Sequence, residues 1–268
     1  MIKYSVLSSG SCGNGYIFNY KNESLLIDMG ITLSNLASKL AEMEIDINSI
    51  KNVLITHLHP DHIKGLRRLK EKYNPNIYIS SESVLNEKRG MEGLKISTNN
   101  LVQFNINDTL ALGCFEIDTF ATSHDSIGST GYKIRVASKN ILHLTDLGYT
   151  TESMLSMANN TNLLFIESNY CDKLLKESKY PSFLKKRIAG DKGHLSNEDA
   201  MDFLSKIDTD NMMVYFIHLS DNCNTVDEVA LLADSIKLKN YQVCKRGGFY
   251  KGELNWKTMI IQLKLVLK

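Results

Sequence analysis

The sequence predicts an α/β protein in which two mixed sheets pack together and helices cover them. Three observations point there. Short apolar strands alternate with amphipathic helices over residues 3–88, a β-rich stretch follows over 101–145, and the alternation then resumes as far as 238. Composition alone leaves a doubly wound single sheet open as well.

The elements follow in order. Residues 3–7, 15–20 and 24–27 read as strands, with a Gly/Ser-rich turn between the first two, and LLIDMG closes the third on Asp28. Residues 33–43 fit a helix with Leu33, Leu36, Leu40 and Met43 on one face. VLIT (53–56) is a buried strand, and a helix from His62 to Tyr73 would turn Ile63, Leu66 and Leu69 inward. IYIS (77–80) is a strand and 82–88 a short helix. LVQF, CFEIDTFAT, TGYKIRVA and NILHLT supply the strands between 101 and 145. NLLFIE and MMVYFIH are strands, while 173–188, 196–205 and 226–238 are helical. No internal repeat is legible. The closing segment, GELNWKTMIIQLKLVLK, is apolar enough to pack on the domain or on a partner.

The chain has 268 residues, 43% hydrophobic and 23% charged, with three prolines and no linker-like stretch, so one domain over 1–268 with a large core is expected. No apolar run approaches the ~18 residues of a membrane span, and MIKYSVLSSG lacks the shape of a signal peptide. The five cysteines form no CxxC pair; reduced thiols and a cytoplasmic location are expected. A net charge of +1 predicts no partner, but basic residues cluster in 64–72 and again from Lys173 to Lys192. In isolation, such runs are solvated helix faces.

ITHLHPDHIKGL (55–66) carries the strongest chemical signal. An apolar strand delivers the backbone to His57, and extended backbone points His57 and His59 the same way. Asp61 and His62 then open a helix as the chain turns back. At that spacing His57 and His59 can hold one cation and Asp61 and His62 another. Neutral imidazole and carboxylate suit zinc, manganese or iron. His124 in ATSHDS, Asp146 in HLTDLG and His218 in YFIHLS each end an apolar strand at a loop and are candidate further ligands. His143 sits mid-strand with parity opposite to Asp146 and reads as structural. His194 lies just before Ser196, which with Asp199 resembles a capping box, so it stands ahead of a helix N-terminus that favours anions. A histidine used as an acid there would need a carboxylate neighbour, and Glu167, at the end of a strand, is the candidate. Ser9, Ser11 and Asn14, on the early glycine loop, either contact substrate or make the turn, with the turn the preferred reading.

LLIDMG, HLHPDH, SHDS, LTDLG and IHLS stand in the order and approximate spacing of the five motifs of the metallo-β-lactamase fold, which this chain resembles over residues 5–224. The resemblance implies a four-layer αββα sandwich with a dinuclear site at one edge of the packed sheets. It implies His57, His59 and His124 at a first metal, Asp61, His62 and His218 at a second, and Asp146 bridging. Asp28 would orient the ligand loop by hydrogen bonding. Asp146 stands where the zinc β-lactamases of the best-known subclass carry cysteine. Glu167 and GHLS (193–196) match the Glu and His of the tRNA 3′-processing branch, which implies that His194, held by Glu167, protonates a leaving oxygen.

SSGSCGN, YPSFLKKRIAGDKGHLSN and HLSDNCN further resemble the YycJ/VicX-type branch, with Cys223 where Asn is expected and Asn224 fitting better. That branch implies a metal-dependent 5′→3′ DNA exonuclease in which a metal-bound hydroxide attacks phosphorus, assisted by Asp61. Two divalent ions, zinc, manganese or iron, are the implied cofactors, and DNA the implied partner, tracked by the basic runs. The interval between Asp146 and His218 is too short for a β-CASP domain. The alternatives are a small-molecule hydrolase acting on a thioester, lactone or cyclic phosphodiester, and a non-catalytic regulatory protein.

Overall fold

In the computed structural model, which describes residues 1–255, the chain builds two seven-stranded sheets. Six strands of the first come from the start of the chain: β1 (Ile2–Ser8), β2 (Gly15–Tyr20), β3 (Glu23–Ile27), β4 (Ile50–Leu54), β5 (Asn76–Ser80) and β6 (Leu101–Phe104). The second holds β7 (Thr109–Leu112), β8 (Phe115–Ala121), β9 (Thr130–Val136), β10 (Lys139–Leu144), β11 (Leu163–Glu167), β12 (Met213–Ile217) and β13 (Tyr241–Val243). The last strand, β14 (Tyr250–Leu254), returns to the first sheet and pairs antiparallel with β1, Leu254 opposite Ile2.

Side-chain alternation explains why the sheets stack. In β2, Tyr16 and Phe18 face the space between the sheets, while Ile17 faces outward. In β3, Leu25 and Ile27 face inward and Leu26 outward. Across the interface stand Tyr132, Ile134, Phe165, Tyr215 and Ile217 of the second sheet. Strands covered on both faces read as apolar runs. The outer face of the first sheet is covered by α1 (Leu33–Glu42), α2 (Pro60–Ile63), α3 (Leu66–Tyr73), α4 (Ser81–Asn86) and α5 (Lys88–Leu94), through residues such as Leu36, Leu40, Leu66 and Leu69. After these come α6 (Glu152–Ala158), α7 (Asp172–Glu177), α8 (Ser182–Ile188), α9 (Asn197–Ser205) and α10 (Val226–Ser235). Met154, Phe203, Leu204 and Val229 of α6, α9 and α10 cover the second sheet. The four-layer αββα arrangement follows.

Both sheets share one plan. Each runs antiparallel across its first strands and then switches to parallel, at β3 in the first sheet and at β10 in the second. Asp28 follows β3 and Asp146 follows β10, both with left-handed backbone, φ 57° and 52°. This repeat of architecture leaves only LIDMG against LTDLG in the sequence, which is why no repeat was legible there.

Two expected helices are broken. The one from His62 to Tyr73 divides at Gly65, where a Cβ would lie 2.0 Å from the Ile31 carbonyl oxygen. The one over 173–188 divides before Pro181, whose predecessor disfavours helical backbone. The short helix expected over 82–88 spans Ser81–Asn86, and helices α5 and α6 and strands β7 and β13 are additional. Of the closing segment, Gly252–Leu254 belong to β14; residues 256–268 lie outside the described residues.

Candidate metal centre

Parallel strands send their C-terminal loops to one rim, and the polar residues collect there. The loop after β4 turns into α2 with His59 at the N-cap and Pro60 at the first helical position, a residue pre-set for helix entry. That turn brings His57, His59, Asp61 and His62 together. The loops after β8, β10 and β12 add His124, Asp146 and His218. His218, like Asp146, has a left-handed backbone, φ 59°. Asp and His tolerate that region better than most side chains.

Among the described residues, four overlapping groups of possible donors result, with donor atoms in each within 4.8 Å of one another. His57, His59 and His124 form a first cluster and Asp61, His62 and His218 a second; the sets His57, His62, Asp146 and Asp146, Glu167, His194, His218 link across them. Asp146 lies between them: its Oδ2 is 3.4 Å from His62 Nε2, and its Oδ1 is 3.6 Å from His124 Nε2. In the first cluster, His59 Nδ1 is 3.0 Å from His57 Nε2 and 3.3 Å from His124 Nε2. Nitrogens bound at ~2.0–2.1 Å around a tetrahedral zinc would stand about 3.3 Å apart, so the donor set fits an ion. In the second, His218 Nε2 is buried with no hydrogen-bond partner, although it faces Asp61 at 3.7 Å. A buried orphan nitrogen is costly unless something is bound to it.

Surrounding groups fix which nitrogen is free. Asp28 accepts from Thr56 N at 2.9 Å and from Thr56 Oγ1 at 2.7 Å, and stands 2.7 Å from His62 Nδ1. His124 Nδ1 lies 3.0 Å from the Gly193 carbonyl. Glu167 Oε1 is 2.8 Å from the Nδ1 atoms of both His194 and His218, while its Oε2 accepts from the backbone N–H of Leu147 and Leu195. One carboxylate thus aims a member of the second cluster and the histidine beside it. The Ser196 hydroxyl caps α9 by accepting from Asp199 N–H, which places His194 directly before the helix. His143 is fully buried and packs edge-on against Tyr16, and neither of its ring nitrogens has a hydrogen-bond partner.

The electrostatics separate the two clusters. Burial pushes His57, His59 and His124 below the ordinary histidine range, leaving neutral nitrogen donors. Burial acts the same way on His62 and His218, but there the carboxylates win. Asp28, Asp146 and Asp61 carry His62 up to about 10, and Asp146, Asp61 and Glu167 hold His218 well above its usual value. Asp61 and Asp146, despite burial that opposes their ionisation, are held low by the His62 and His218 cations. The rim therefore demands positive charge, which is the condition a divalent cation meets. His194 behaves likewise: burial disfavours its charge, but Glu167 overrides it and the pKa is raised.

Sequence reasoning missed several supports. Asn14 Nδ2 donates to Asp61 Oδ2 at 3.0 Å and lies 3.0 Å from His62 Nε2, while its Oδ1 accepts from Gly10 N–H. Ser9 Oγ accepts from His218 N–H at 2.7 Å. Both stand in the glycine loop read as a turn; Asn14 buried beside donors is visible only in three dimensions. Asn224 donates to the Ser168 carbonyl and pairs with Asn197, and Cys223 is buried beneath α7, so neither meets the donor clusters. Lys192 borders a cavity of about 420 Å³ that begins at His124 and Asp125. Of the other basic run, Arg67 pairs with Glu71 and Lys70 donates to the Pro75 carbonyl.

Fold and donor set define a class. Residues 24–219 match the family model described as beta-lactamase superfamily domain, and the chain belongs to that superfamily as a metal-dependent hydrolase. Within it, the chain is similar to Exodeoxyribonuclease YycJ of Bacillus anthracis, at 32% identity over 253 residues, covering 94% of this chain and 92% of the relative. It is also 31% identical over 229 residues to Exodeoxyribonuclease WalJ of Streptococcus pneumoniae serotype 2 (strain D39 / NCTC 7466), covering 85% of each. The solved metallo-beta-lactamase fold protein YhfI from Bacillus subtilis shares the fold, with a TM-score of 0.69 at 18% identity, over 94% of this chain and all of that one (100%). Among the described residues, no helix is long and apolar enough to cross a membrane.

Proposed function

We propose that the protein is a dinuclear phosphodiesterase that degrades DNA as a 5′→3′ exonuclease. The observation that carries the reading is the pair of three-donor clusters joined by Asp146, with His194 held 2.8 Å from Glu167 beside them. Similarity to two exodeoxyribonucleases over most of the chain supports DNA as the substrate class, while 5′→3′ polarity is what the resemblance to the YycJ/VicX-type branch implies. In this reading His57, His59 and His124 would hold one ion and Asp61, His62 and His218 the other, with Asp146 a candidate ligand to both. When bound, two zinc, manganese or iron ions acidify water and neutralise charge on a phosphate.

The chain's own groups do the rest. Asp61, partly exposed at the rim, accepts or orients the proton of the attacking water. His194 uses Nδ1 on Glu167, which leaves Nε2 to hand a proton to the departing oxygen. Lys192 and α8 offer positive charge to the phosphate backbone.

The test is a substrate panel with added manganese or zinc: 5′- and 3′-labelled duplex and single-stranded DNA, RNA, a bis-aryl phosphate, S-lactoylglutathione and a chromogenic β-lactam. Mononucleotide release from the 5′ end of DNA is expected. Turnover of the thioester alone would favour a small-molecule hydrolase. His194→Ala should lower turnover on DNA by about 10²–10⁴-fold while retaining the wild-type ion content. Loss of both ions in that variant would show that His194 is a ligand.

A further inference from the structure

Each clustered histidine has one ring nitrogen turned toward the donor atoms and the other held from outside. The outside partners are Thr56 Oγ1 for His57, Asp28 for His62, the Gly193 carbonyl for His124 and Glu167 for His218. His59 is placed the other way round. Its Nδ1 faces His57 and His124, so Nε2 is its outward nitrogen. That atom lies 3.4 Å from Asp125 Oδ1. Asp125 is itself gripped by Arg187, whose Nε and terminal nitrogen reach the same Oδ2 at 2.7 and 2.6 Å. Arg187 belongs to the last turn of the basic helix α8.

His59 needs such a partner more than its neighbours do. Its side chain is 32% exposed, whereas those of His62, His124 and His218 are 0%, 2% and 5% exposed. Packing locks the buried rings; His59 lacks that constraint. Asp125 Oδ1 is also 3.4 Å from His124 Nε2, but His124 directs its N–H at Gly193 and presents a lone pair on Nε2. Two acceptors do not attract, so of these two long contacts the favourable one is electrostatic, between the Asp125 carboxylate and the Nε2 side of His59.

We propose that Asp125 is the positioning residue for His59, and that Arg187 fixes Asp125 so that the end of α8 sets the aim of His59 Nδ1. A carboxylate on the outer N–H of a ligating histidine fixes its tautomer and orientation and strengthens it as a donor. The inference rests on the metal-centre reading above. It also gives one basic residue of the 173–192 run a task distinct from holding phosphate.

The experiment measures zinc affinity of ion-free protein by chelator competition, with the visible spectrum of the cobalt(II) form as a second readout. Wild type, His59→Ala, Asp125→Ala, Asp125→Asn and Arg187→Ala are compared. Asp125→Ala should weaken one of the two sites by roughly 10–100-fold, and Arg187→Ala less. Asp125→Asn, which keeps an acceptor, should recover most of the affinity and the wild-type cobalt spectrum. The melting temperature of the ion-free protein should be the same in all five. If His59→Ala weakens zinc binding and Asp125→Ala does not, the inference is overturned while the metal-centre reading stands. If Asp125→Asn is as damaging as Asp125→Ala and the cobalt spectrum loses a ligand, Asp125 is a direct donor and the positioning role is overturned. If wild type binds no zinc or cobalt, the metal-centre reading fails, and this inference with it.

Discussion

At the scale of the residue, Glu167 is the most heavily used side chain of the rim. It serves His194 and His218 through one oxygen and two backbone N–H groups through the other. Glu167→Gln should therefore harm both ion affinity and turnover, unlike His194→Ala, which should harm turnover alone. The two are told apart by ion analysis of the purified variants. The sign of the pH effect follows from the His194 shift. Glu167 raises the His194 pKa, so the acid form persists above the ordinary histidine range, and the rate should fall as pH rises through the raised value. In Glu167→Gln that alkaline limb should move to lower pH, read from kcat against pH. The candidate donors could be picked out in the sequence because His57, His124, Asp146 and His218 each follow an apolar strand at a loop, with His59, Asp61 and His62 clustered just behind the first. Asn14, Ser9 and Asp125 could not, because what they touch lies far along the chain.

Secondary-structure elements reach the rim through close backbone contacts. A Cβ on Gly30 would fall 1.6 Å from the Asp61 carbonyl oxygen, so the loop after β3 and the start of α2 touch through a glycine. Gly30→Ala should push Asp61 and α2 outward and destabilise the protein by about 1–3 kcal/mol or more, measured by denaturant unfolding together with loss of ion affinity. Ser196→Ala removes the α9 cap next to His194 and should cost about 1 kcal/mol. Most strands were legible from apolar runs and alternation. The breaks at Gly65 and Pro181 were not read, because hydrophobic spacing continues through them while the backbone path does not. The additional β7 and β13 are short, four and three residues; each lies at an edge of the second sheet, β7 hairpinned to β8 and β13 paired with β12, so neither shows a long apolar run.

For the whole molecule, the buried His143 sets a pH-dependent share of stability. Burial pushes its pKa down to about 3, below the ordinary 6.5, so it folds neutral. Its contribution is complete above about pH 6.5 and is lost as pH falls toward 3, at roughly 1.4 kcal/mol per pH unit. His143→Phe, packed against Tyr16 and Phe165, should flatten stability across that window. It should also add about 1–3 kcal/mol at neutral pH by removing two buried nitrogens without partners. Chemical denaturation from pH 4 to 8 checks both effects. The layering of the sheets was open in the composition; the order of elements suited it and the order of the motifs chose it, because periodicity does not report which faces meet.

The placement of the donors has a mechanical consequence. His57, His59, Asp61 and His62 follow a strand of one sheet, while His124, Asp146 and His218 follow strands of the other. On the proposed occupancy, each ion is a cross-link that rivets the two sheets at their shared edge, as a disulfide would. Stripping the ions should then speed unfolding and let the sandwich splay open from the rim. Hydrogen exchange would show this first at the ends of β4, β10 and β12, while the aromatic interior around Phe165 stays protected.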